Sequence, residues 1–176
     1  MKKLIILSLM FFGFQSLSAQ IYLTNNEWSQ MKALVTQFNI NAEKFIDNKD
    51  AYVAKDLKKN IWTITSKMNY YSDRIVKAQT FDEGSNMSEK SKVLLTNDVI
   101  DHRLIRIEFN NAEVNTIARS AFELSQLKDQ LKTKSYQLNM GDPADKALVK
   151  KYRDFVNDAY AIQNNNFDKA FKASIN

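Results

Sequence analysis

The chain has 176 residues, 44% hydrophobic and 11% aromatic, with 25 basic against 20 acidic side chains, one His and no Cys. This length points to one domain, and its apolar content is enough to bury a core without disulfides. The charges are interspersed, which argues against a clustered nucleic-acid groove. The three glycines, Gly13, Gly84 and Gly141, exclude a glycine-rich phosphate loop.

Residues 1–19 read as a secretory signal peptide. Lys2 and Lys3 form a positive start, Leu4 to Phe14 a short apolar run, and Ser16 to Ala19 a small-residue exit. Cleavage after Ala19 leaves Gln20 first and lowers the net charge from +5 to +3 by removing Lys2 and Lys3. The apolar run is too short to span a bilayer, and no later run is long enough to do so. No Cys follows it to carry a lipid anchor. The expectation is an exported protein, periplasmic or extracellular, with residues 20–176 as a single helical-bundle domain.

Thr24-Asn25-Asn26-Glu27 fits a capping box. From there Trp28, Met31, Val35, Phe38, Ala42 and Phe45 step by three and four, the seam of a bundle helix. After Asp47-Asn48-Lys49-Asp50 the seam resumes out of phase as Leu57, Ile61, Ile64, Met68, Tyr71, Ile75 and Ala78. A turn at 47–50, with Asp50 or Asn48 as cap, accounts for the change of phase. One continuous helix with a local stutter also preserves the stripe.

Asp82-Glu83-Gly84-Ser85-Asn86 is a loop, with Gly84 expected to end the second helix in the left-handed conformation. Ser88 to Met140 then contains no Gly or Pro. Val93, Ile100, Leu104, Ile107, Val114, Ile117, Ala121, Leu124 and Leu131 recur mostly three, four or seven apart. An unbroken helix from Ser88 to Leu138 would run about 75 Å at 1.5 Å per residue, so a break at Phe109-Asn110-Asn111-Ala112 is expected. Ile21-Tyr22-Leu23 is the only strand-like run noted, too short to build on, and no long repeat of solenoid type stands out.

Gly141-Asp142-Pro143 places a helix end beside a cap and an N1 proline, with Asp145 favouring the dipole. The next seam is Leu148, Tyr152, Phe155, Ala159 and Ile162. After Asn164-Asn165-Asn166, a short last helix carries Phe167, Phe171 and Ile175 on one stripe. A helix that short must dock to persist, either on its own bundle or in a groove of a partner, which makes these three the candidate partner-binding residues.

Chemistry is sparsely marked. His102, flanked at helical spacing by Asp98 and Arg106, reads as a surface helix position, and no zinc or di-iron ligand set accompanies it. A b-type haem could pair it with Met31 or Met68, though seam methionines are usually core. There is no Gly-x-Ser-x-Gly. Lys55, Lys58 and Lys59 form the densest basic cluster with Trp62 one turn on, read as a solvated face with Trp62 half buried at its edge.

Leu23-Thr24-Asn25-Asn26-Glu27 resembles the Leu-Thr-x-x-Gln motif of periplasmic stress chaperones of the Spy and CpxP type, and Leu95-Thr96-Asn97-Asp98-Val99 is a fainter form. Glu27 and Val99 stand where that family has Gln. The likeness covers five residues at each place, and helix capping explains the same residues. It implies a client-cradling helical protein but does not assign the chain to the family.

The fold class expected is all-α, an up-and-down bundle of four to five helices with coiled-coil-like heptads plus a short C-terminal helix. The core is expected to contain Trp28, Val35, Phe38, Phe45, Ile61, Ile64, Ile107, Ile117, Leu124 and Phe155. The function expected is a non-catalytic protein–protein interaction or structural role, with no cofactor, no metal and no nucleic acid, the partner being another protein or a second copy. Alternatives are a periplasmic holdase-type chaperone and a b-type haem or small-ligand carrier.

Overall fold

The computed structural model describes residues 18–133 and 138–175; most of the expected signal peptide lies outside these residues. The described chain is mostly helical, with two short strands: β1 (Ala19–Thr24), α1 (Asn25–Ile46), α2 (Val53–Lys77), α3 (Glu89–Leu95), β2 (Leu104–Phe109), α4 (Asn111–Thr133) and α5 (Pro143–Ile175). Four long helices form the bundle. Hydrogen bonds between Asn41 and Asn60, Asn69 and Ser125, Asn166 and Glu113, and Trp28 and Asn164 run antiparallel around it in the order α1, α2, α4, α5. The seams expected on α1 and α2 are buried residue for residue.

The turn between α1 and α2 is real. Asn48 takes φ 56°, and Lys49 N–H donates to Lys44 C=O at 2.9 Å while Asn48 N–H donates to Phe45 C=O at 3.3 Å. These bonds satisfy the last carbonyls of α1, with Asn doing what Gly usually does. Asp50 Oδ1 accepts from Tyr52 N–H at 2.9 Å as the chain turns into α2.

The expected helical bundle is present, and a small sheet that the all-α expectation lacked is added to it. β1 and β2 pair antiparallel, with Ile21 opposite Ile107 and Leu23 opposite Ile105. Ala19, Ile21, Leu23, Ile105, Ile107 and Phe109 are buried, and Tyr22, Arg106 and Glu108 lie on the other face. The period is two, so one side of the ribbon closes the end of the bundle core and the other faces water. Isolated two-stranded ribbons are marginal, so this one persists because its inner face is core.

The expected helix from Ser88 is corrected. Ser88 does cap α3, accepting from Ser91 N–H at 3.2 Å. That helix ends at Thr96, so the fainter chaperone-like stretch closes a helix rather than opening one. His102 sits in a turn, with its N–H on Val99 C=O at 2.9 Å, and is exposed, so Asp98 and Arg106 do not flank it on a helix. The expected break at Asn110 is present: Asn110 and Glu113 form a second capping box, Glu113 N–H to Asn110 Oδ1 at 3.0 Å and Asn110 N–H to Glu113 Oε2 at 2.9 Å.

Two glycine expectations fail. α2 ends on Ala78, and neither Gly84 nor Gly141 has positive φ. Asp142 does cap α5, accepting from Ala144 N–H at 2.8 Å.

The separate C-terminal helix is also absent, because α5 runs unbroken through Asn164-Asn165-Asn166. Asn164 accepts from the Trp28 indole at 3.2 Å and Asn166 donates to Glu113 at 3.0 Å, so asparagines that read as breakers are bonded within the bundle. The α5 seam is Val149, Tyr152, Val156, Ala159 and Gln163, one residue round from the expected one, which leaves Phe155 and Leu148 partly buried.

The chain repeats one strand–helix–helix plan. Aligning the capping boxes, Thr24 on Asn110 and Glu27 on Glu113, places Ile21 on Ile107, the residue it faces across the sheet. The same alignment matches buried Trp28 with Val114, Met31 with Ile117, Val35 with Ala121, Phe38 with Leu124 and Phe45 with Leu131. A residue that pairs with its own counterpart lies on a local two-fold axis. Residues 79–103 are the linker between the two units.

Candidate functional site

The linker is where apolar content and burial part company. Phe81, Met87, Val93, Leu94, Leu95, Val99 and Ile100 lie within it, yet no described residue from 79 to 104 is buried. α3 has no buried residue at all, and Val93 is 65% exposed. A seven-residue helix has little stability of its own, so it is held by what it leans on.

A two-point ion pair ties the linker to the bundle. Arg74 Nε and Nη2 each donate to Glu83 at 2.9 Å, and Nη2 also donates to Tyr22 C=O at 3.0 Å. Tyr22 N–H donates to Glu83 Oε2 at 3.3 Å. The main chain of Tyr22 therefore turns outward, away from Arg106, and the ion pair occupies the strand edge that another strand would need. Burial opposes the charge on Arg74, but the hydrogen bonds and charge of Glu83 outweigh it and hold its pKa above the ordinary arginine value. A second tie comes from Asp101, which accepts from Asn25 Nδ2 at 2.5 Å through its carboxylate and from Asn26 N–H at 3.4 Å through its carbonyl.

Between linker, β1 and α2 lies an open cleft of about 570 Å³. Its apolar lining is Tyr70, Phe81, Met87, Leu94 and Leu104, with Tyr70 52% and Phe81 53% exposed. Gly84 lets the ring of Tyr22 approach, since a Cβ there would lie 2.8 Å from the Tyr22 hydroxyl. Several polar groups of the cleft are paired among themselves. Glu27 accepts from Thr24 N–H at 2.8 Å and from its hydroxyl at 3.0 Å, Ser88 and Ser91 bond each other, and Arg74 is held by Glu83. What the cleft offers a ligand is apolar contact with a satisfied polar rim.

The residues singled out for partner binding fall elsewhere and do not form one exposed stripe. Phe167 is buried and stacks on Trp28 at 5.2 Å; Phe171 is partly buried and stacks on Phe167 at 5.9 Å; Ile175 is exposed. Arg103 Nη2 donates to Ser174 C=O at 2.7 Å and fastens the end of α5. Met31 and Met68 are both buried, and His102 is exposed on its turn. The enclosed cavity beneath the sheet, between Trp28, Tyr71, Ile107 and Gln163, measures about 10 Å³. No cluster of three or more His, Cys, Asp or Glu with metal-site geometry occurs among the described residues. Sequence reasoning missed the linker because Val93 and Ile100 stand seven apart and read as part of a helical stripe, whereas α3 ends at Leu95.

No protein-family model, curated protein or solved structure matches this chain in comparison with known proteins.

Proposed function

We propose that this is an exported, non-catalytic protein that works by binding other proteins, through the cleft between the linker and β1. The observation that carries the reading is the linker itself: seven large apolar side chains, none of them buried by the chain's own core. Surface of this kind marks a protein contact more often than an accident of folding. The occupant is a segment of another protein bearing large apolar side chains. The one cation of the lining, Arg74, is already paired with Glu83, so an anionic ligand would gain little there. Export rests on the leader-like residues 1–19; cleavage after Ala19 trims one residue from β1 and keeps the Ile21–Ile107 and Leu23–Ile105 pairs.

A holdase-type chaperone is one form of this reading. The haem or ligand-carrier alternative draws no support from Met31 and Met68, which are packed in the core, or from the cavity beneath the sheet, which is about 10 Å³. The test uses a fluorescently labelled, reduced and carboxymethylated protein as a permanently unfolded probe. Anisotropy should rise on adding the folded chain, and Phe81→Ser with Leu94→Ser should weaken binding about tenfold or more. Equal binding by the double variant would remove the cleft from the account.

A further inference from the structure

A second surface lies on an adjacent face of α2, toward α4. Between α2 and α4 runs a groove of about 400 Å³, floored by small residues, Ser72, Ala118, Ala121 and Ser125. Because these side chains are small, the seam between the two helices is left as a trough. Three large apolar residues stand along this face: Trp62 at 38% exposed, Val76 at 41% and Phe122 at 62%. From Trp62 to Val76 the face extends about 21 Å at 1.5 Å per residue, the length of a four-turn helix.

The charge along the face is predominantly positive. Lys55 and Lys59 precede Trp62 on the outward side of α2, Lys128 of α4 lies 5.2 Å from the Trp62 ring centroid, and Lys77 lines the far end of the groove. None of these four lysines has a carboxylate partner within ion-pair distance among the described residues. Asp73 is the carboxylate that lines the groove. Two copies of this face meeting about a two-fold axis would bring like charges together, which argues against self-association here.

We infer that the α2–α4 groove receives an amphipathic helix of a partner protein, its apolar ridge against Phe122, Val76 and Trp62 and its flanks bearing Asp and Glu. Helix-in-groove recognition needs such a trough with spaced apolar anchors, and the unpaired lysines set the sign of the partner's charge. This goes beyond the linker cleft and does not depend on it.

Trp62 supplies the reporter, because Trp28 is buried in the core. The folded chain is titrated with a synthetic helical peptide of Leu and Glu, with a Leu–Lys peptide of the same pattern, and with phosphatidylglycerol vesicles. The acidic peptide should shift Trp62 emission to the blue and bind at least about tenfold tighter than the basic one. Phe122→Asp should abolish the shift with an unchanged melting temperature, since Phe122 is largely exposed. Lys77→Glu with Lys128→Glu should reverse the preference between the two peptides. Equal binding of both peptides, or full binding by Phe122→Asp, would overturn the inference. A shift with vesicles and none with the acidic peptide would also overturn it, assigning the face to an anionic membrane surface instead.

Discussion

Arg74 and Glu83 meet through two hydrogen bonds of 2.9 Å each, and around that pair the linker, β1 and α2 become one wall of a cleft. Both side chains are mostly shielded, at 22% and 20% exposure. Removing one partner leaves the other shielded and unpaired, which costs more than an exposed pair would. Glu83→Gln should therefore destabilise by about 1–2 kcal/mol. Amide hydrogen exchange should rise through residues 79–95 and stay unchanged in α4. Unchanged exchange in the linker would show that the pair does not hold it.

Tyr152 reaches across the bundle to donate to Ile61 C=O at 3.0 Å, with the Thr65 hydroxyl in hydrogen-bond contact beside it. Tyr152→Phe should lower stability by about 1 kcal/mol, or about 2–4 °C in melting temperature. A thermal melt followed by circular dichroism checks it.

Gln163 is 2% exposed, faces Ile21, Leu23, Ile75 and Phe109, and has no hydrogen-bond partner for either amide atom among the described residues. An unpaired buried amide is a cost that an apolar side chain of similar volume avoids. Gln163→Leu should raise the melting temperature by about 2–6 °C. A fall would mean that the amide is satisfied in solution.

How much of this was legible in the sequence depends on where the partners lie. The α1 and α2 seams were plain because their stripes repeat locally, and the caps at Thr24, Ser88 and Asp142 because each is written within four residues. β2 was not. Ile100, Leu104 and Ile107 keep a helical spacing, and the alternation of Ile105, Ile107 and Phe109 with Arg106 and Glu108 gains meaning only against β1, far upstream. Asn164 and Asn166 misled for the same reason: their partners, Trp28 and Glu113, lie on other helices. The linker cleft had no local signature, since it exists only where three separate stretches meet.

Alkaline pH should weaken the fold before the chain is chemically damaged. Burial, with a smaller contribution from the charge of Glu27, pushes the Tyr71 phenol up to about 12, and burial raises Tyr152 further against a lesser pull from Thr65. An unfolded tyrosine loses its proton near pH 10. Between about pH 10 and 12 the folded state therefore binds more protons, so stability is full below pH 10 and falls as pH rises through that window. Tyr71→Phe should flatten the fall in a urea-midpoint series across this range.

Phe167 stacks between Trp28 and Phe171, so the end of α5 is part of the core. Phe167→Ala should cost about 3–5 kcal/mol. Ile175→Ala, at an exposed site, should change melting by no more than scatter.

Methyl NMR of the folded chain, with the carboxymethylated unfolded protein added, tests the central claim most directly. Binding through the linker cleft predicts that the methyl signals of Met87, Leu94 and Leu104 shift or broaden first, while those of Val149 and Val156 in the bundle core stay in place. Perturbation that spares Met87, Leu94 and Leu104, or no perturbation anywhere, would contradict it.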